Sequence, residues 1–146
     1  MATVNCLEYA NSIASPPVMN SPNTRGKLIR KRFSYTVAAV VAVGTIINLG
    51  VIPANARFYG GVWSNDAGFA GSGVTVSIGV TGTAAKFYAS LDVSGAVDQT
   101  AFGVTAALGG GGLYVPTADI QVICTTIGDV IIAAGTCWGW FDYVLA

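Results

Sequence analysis

Residues 33–56 read FSYTVAAVVAVGTIINLGVIPANA, and the fold turns on whether this run is a membrane helix or a pair of strands. It has no charge before Arg57 and follows directly on the basic stretch RGKLIRKR at 25–32. Length, apolarity and flank therefore suit a signal-anchor helix over residues 33–52. Periodicity argues against it. Phe33, Tyr35, Val37, Ala39, Val41 and Val43 fall on one side of an extended chain, with Ser34, Thr36, Ala38 and Ala42 on the other. That period of two marks a half-buried strand. Gly44, Asn48, Gly50 and Pro53 then interrupt the run at strand-length intervals, where a spanning helix would want unbroken Leu and Ile. The spacing predicts strands at 33–43 and 45–52, split at Gly44, with a turn at residues 53–55; no membrane partner is expected.

Downstream the same pattern continues. GVTVSIGV at 73–80 sets Val74, Val76, Ile78 and Val80 against Thr75, Ser77 and Gly79, and AAKFYASLDV at 84–93 repeats the alternation. With 56–65, one strand somewhere in 94–115, 117–127, 130–135 and 136–145, about eight strands are expected. TCWGWFDYVL at 136–145 puts Cys137, Phe141, Tyr143 and Leu145 on one face and Trp138, Trp140 and Val144 on the other. A strand apolar on both faces belongs at a sheet centre or a subunit interface, so Trp138, Trp140, Phe141 and Tyr143 are candidates for core or oligomer contact. Short strands spaced by about ten residues predict an all-β antiparallel sandwich, jelly-roll-like, over residues 33–146.

Upstream, residues 1–32 contain Pro16, Pro17 and Pro22 among Ser and Asn, which favours extended chain over helix. We expect an N-terminal arm here, outside the core. Its basic residues begin too late for the n-region of a secretory signal. The arm carries five bases against Glu8, whereas residues 33–146 carry Arg57 and Lys86 against six aspartates. Arg25, Lys27, Arg30, Lys31 and Arg32, with Leu28 and Ile29 to pack, suit the acidic face of a protein partner. A nucleic-acid arm fits less well, because no aromatic interleaves the run and the domain behind it is mildly acidic.

Charged residues make up only 10% of the chain, so much of its surface is expected to be covered by other chains. There is no His, and the three cysteines, Cys6, Cys124 and Cys137, lack framework or zinc spacing. Free thiols in a protein made in a reducing cytoplasm are expected, with no metal or cofactor. The aspartates at 66, 92, 98, 119, 129 and 142 stand singly near glycines or strand ends, as turn formers do. Gly109–Gly112 lacks the Lys-Ser/Thr and following helix of a phosphate loop. No enzyme is expected. Trp63, Trp138 or Trp140 could serve a glycan-binding module as platforms, although aromatics at period two are more often core.

Residues 44–90, GTIINLGVIPANARFYGGVWSNDAGFAGSGVTVSIGVTGTAAKFYAS, combine L-G-x-I-P-x-x-A, paired glycines, a D-x-G loop and V-x-V-x-I-G. This pattern, with the closing ADIQVICTTIGDVIIAAGTCWGWFDYV, resembles small virion proteins of tailed bacteriophages. The resemblance spans about residues 33–146 and implies a β-sandwich that oligomerises, a trimer being one stoichiometry it allows. It also implies a head decoration or cement protein on the capsid surface, with the major capsid protein as partner. Tail or head-fibre base proteins share the same physics.

Overall fold

The computed structural model describes residues 3–5, 28–66, 73–103, 114–131 and 135–145. These form nine strands: β1 (Thr3–Asn5), β2 (Leu28–Thr36), β3 (Ile46–Ile52), β4 (Arg57–Asn65), β5 (Thr75–Val80), β6 (Thr83–Asp92), β7 (Val97–Phe102), β8 (Ile120–Ile127) and β9 (Thr136–Val144). One sheet has the order β1-β3-β8-β5-β6 and the other β2-β9-β4-β7. All pairings are antiparallel except β1 on β3. From β2 onward every connection except the β5–β6 hairpin changes sheet, which gives two four-stranded sheets wound as in a jelly roll, with β1 added to an edge.

The core lies between the sheets. Ile47, Leu49 and Ile52 of β3, Val76 and Ile78 of β5, and Val122 and Cys124 of β8 meet Phe33, Phe58, Trp63, Phe102 and Phe141 from the other sheet. Phe87 of β6 stacks on Phe58 at 4.4 Å between ring centroids, and both lie 6.5 Å from Phe102. Each aromatic thereby removes a large apolar area from water at a tilted or offset geometry.

Residues 33–52 are no helix. Among the described residues none is long and apolar enough to cross a membrane, and this stretch supplies parts of two strands in different sheets. The expected strand at 33–43 is corrected at both ends. β2 stops at Thr36, where its partner β9 begins, because the chain must then cross to the other sheet. The crossing is held by the backbone: Val37 N–H donates to Gly135 O at 2.8 Å, and Val41 exchanges hydrogen bonds with Ile131 at 2.8 and 3.0 Å. The Thr126 hydroxyl accepts from Thr45 N–H and donates to Ala42 O at 2.7 Å. Val37 and Val41 still point into the core, but Ala39 and Val43, expected in the same row, are exposed, so the period-two alternation ends with the ladder.

The boundary expected between arm and domain also moves. β2 begins at Leu28, so Leu28–Arg32 pair with β9 across Leu28↔Val144 to Arg32↔Trp140, and β1 joins the other sheet. The charged run is compatible with a strand because Arg30 and Arg32 face outward, and Lys31, in the inner row, sits on an edge where its stem can reach water. VIIAAG at 130–135 contributes only the Val41↔Ile131 bridge among its described residues.

The connections β2–β3, β4–β5, β6–β7 and β8–β9 gather at one end of the sandwich, and β3–β4, β5–β6 and β7–β8 at the other. This places Asp66, Asp92, Asp98 and Asp129 at or near the first end. Leu28 and Arg57 lie in one row at the second, both opposite Val144.

Candidate interaction surface

β9 is the second strand of its sheet, between β2 and β4, and its outward row is Thr136, Trp138, Trp140, Asp142 and Val144. The registers set Arg30 opposite Asp142, Arg32 opposite Trp140 and Ser34 opposite Trp138 on one side. On the other side Val62 lies opposite Trp140 and Ser64 opposite Trp138. The result is a continuous outer face of arginines, indoles and small side chains. Arg30 grips Asp142 with two parallel bonds, Nε to Oδ1 at 2.9 Å and a terminal nitrogen to Oδ2 at 2.8 Å. Its guanidinium lies 4.8 Å from the centroid of the Trp140 ring, a fork-and-stack geometry that lysine could not reproduce. The hydrogen bond to Asp142 raises the Arg30 pKa above its ordinary value, so the guanidinium stays charged throughout the physiological range.

Around that neutralised pair the face stays open. Trp138 is 41% exposed and Leu28 59%, and Tyr59, bulged out of β4, is 43% exposed. Arg32 and Arg57 are exposed, and among the described residues neither forms an ion pair. The opposite row of β9 belongs to the interior: Cys137 and Phe141 are fully buried and Tyr143 nearly so. Of the four aromatics singled out on this strand, Phe141 and Tyr143 are therefore core, while Trp138 and Trp140 face outward. Trp63 is wholly buried and its Nε1 donates to Asn65 Oδ1 at 3.0 Å, which rules it out as an exposed platform. Arg25, Lys27, Cys6 and Gly109–Gly112 lie outside the described residues.

The remaining acids mostly fix backbone. Asp92 accepts from Ser94 N–H, Asp119 from Ala54 N–H, Asp129 from Val130 N–H and Asp66 from Thr136 N–H, at 2.7–3.1 Å. Asp92 is held below the usual carboxylate range by its bonds from Ser94. Cys124 and Cys137 are buried free thiols, and burial pushes the Cys124 thiol far up, which removes it as a nucleophile at neutral pH. The strongest geometric feature is thus a surface for contact.

No protein-family model and no curated protein sequence matches the chain. Solved structures do. A chain in the capsid of Ralstonia phage GP4 superposes with a TM-score of 0.74 at 19% identity, covering 99% of both chains. One in the cyanophage Pam1 capsid asymmetric unit gives 0.67 at 16% identity, covering 89% of this chain and 99% of that one. One in the acid-stable capsid of Helicobacter pylori bacteriophage KHP30 gives 0.51 at 17% identity, covering 81% and 95%. At these identities the likeness is one of fold: an all-β sandwich shared over 81–99% of this chain.

Proposed function

We propose that this chain is a non-enzymatic structural protein of a phage virion, a decoration or cement protein that self-associates and binds the head shell. Its place is the capsid surface after synthesis in the host cytoplasm, and its partners are further copies of itself and the major capsid protein. The observation that carries this reading is the likeness, over 99% of both chains, to a chain of a phage capsid. The open outer face with its indoles and exposed arginines supports it, since such composition favours protein contact.

The N-terminal arm acts as a tether in this reading. Where each arm grips weakly alone, several arms on one oligomer gain affinity together by multivalency. The test is co-sedimentation with undecorated shells of the full chain and of a form lacking residues 1–27, which keeps β2 intact. Firm binding by the full chain and weakened binding by the shorter form are expected. A full chain that never sediments with shells overturns the reading.

Tail or head-fibre base proteins are the second reading, and the exposed Trp138 is what favours a glycan platform there. A blue shift of tryptophan fluorescence with host glycans, lost in Trp138→Ser, would support it.

A further inference from the structure

The outer face of the β2-β9-β4-β7 sheet has a complement on the same molecule. At the end where the β2–β3 connection lies, Ala38, Ala39, Val40, Ala42 and Val43 are all exposed, with Val40 at 63% and Val43 at 51%. Val130, 37% exposed, adjoins them through the Val41↔Ile131 bridge. Five exposed apolar residues in a six-residue stretch are unusual for a soluble surface. This loop is also pinned by the Val37, Val41, Gly44 and Thr126 hydrogen bonds, so ordering it on contact costs little. Exposed Asp129 and Asp98 lie at or near the same end, and among the described residues neither forms an ion pair.

Charge therefore separates along the sandwich. Four of the six aspartates cluster toward the loop end, whereas Arg32 and Arg57, neither in an ion pair among the described residues, lie on the outer face. Pairing through the edges of the β2-β9-β4-β7 sheet is discouraged. β2 carries Lys31 in its inner row and β7 carries Asp98 beside Gln99, whose φ is 49°; inward charge and kinked backbone both blunt an edge against strand addition.

We propose that copies of this chain associate head to tail: the pinned apolar loop at 38–43, with Val130 and the adjoining Asp129, docks on the outer face of the next copy's β2-β9-β4-β7 sheet. There the valines cover Trp138, and the Asp129 carboxylate reaches Arg32, two positions along β2 from the residue opposite that indole. The two surfaces differ, so the contact is heterologous and generates a ring where the rotation closes. This inference deepens the self-association in the proposed function and rests on that part of it.

The test uses sedimentation velocity of the full chain with Arg32→Glu as a face variant and Val40→Asp as an end variant, both at exposed positions, with far-UV circular dichroism to verify the fold. Each variant alone is expected to lose the wild-type oligomer, with at least tenfold weaker association. An equimolar mixture is expected to give a dimer and nothing larger, because one copy supplies an intact end and the other an intact face. A symmetric contact using one patch twice gives no such recovery, and that result overturns the proposal. Wild-type oligomers in both variants overturn it as well, while leaving the virion reading standing if shells still bind. Arg32→Glu abolishing shell binding with the oligomer intact makes the shell the occupant of the face, and the proposal fails on that outcome too.

Discussion

The two faces of β9 are nearly equal in apolarity and opposite in fate. Cys137, Phe141 and Tyr143 look inward and are buried, whereas Trp138, Trp140 and Val144 look outward with Trp138 41% exposed. The difference teaches that alternation identifies the residues sharing a row, but what lies over the row decides whether it is core. The sharpest way to break the comparison is to truncate the inner row. Phe141 packs 6.2 Å from Phe58 and 6.4 Å from Tyr143, with its ring against the backbone of Gly50. Phe141→Ala is expected to cost about 3–5 kcal/mol in urea unfolding. A loss below about 1 kcal/mol would mean that the two faces are energetically alike.

Adding volume on the same row comes next. Gly139 lies between Phe33 of β2 and Trp63 of β4 in register, and the absence of a side chain lets those rings approach to 5.9 Å across it. A Cβ there would collide with Val62 O and meet the Phe33 ring at 2.7 Å. Gly139→Val is expected to cost about 1–3 kcal/mol or more by overpacking, read as a lowered urea midpoint. The glycine of C-W-G-W-F thus has a packing role that its neighbours' hydropathy conceals.

Much of the sandwich was legible because its central strands are locally regular. GVTVSIGV gave β5 nearly to the residue, and 136–145 gave β9. What escaped was set by distant partners. β2 extends back to Leu28 because β9, more than a hundred positions away, offers it a ladder and because Asp142 neutralises Arg30; no hydropathy window contains that. The basic run reads from sequence as an extended arm, whereas its place in β2, with Arg30 and Arg32 outward and Lys31 inward, required the register. Trp63 was legible as an aromatic at a strand position, and only the packed sheet shows it sealed beneath Phe33.

Alkali probes the interior without mutation. Burial raises Cys124 above its ordinary 9.0 and Tyr143 above 10.0. A raised folded pKa contributes stability that is complete below the unfolded value and is lost as pH climbs toward the folded one. Unfolding free energy is therefore expected to hold to about pH 8 and then fall, by up to about 1.4 kcal/mol per pH unit for Cys124. Cys124→Val is expected to move the onset up toward the range of Tyr143, in urea titrations at stepped pH. An unchanged onset would assign the loss to another group.

The outer row should behave differently in kind. Trp138→Ser removes an exposed indole that leaves no cavity, so its effect on stability is expected within about 0.5 kcal/mol, while association of copies weakens. Smallest of all is Arg30→Gln. The Arg30–Asp142 pair has side-chain exposures of 50% and 16%, so water and salt screen its attraction and two side chains lose freedom to make it. A slight drop in urea midpoint is expected at low salt, vanishing at 1 M salt, where the screening length is about 3 Å. If the drop survives high salt, the contribution comes from guanidinium packing on Trp140 rather than from charge, because stacking is short-ranged and mobile ions cannot enter it. Arg30→Lys then separates the two: lysine keeps the charge and loses the planar fork, so it matches wild type only if Coulomb attraction dominates.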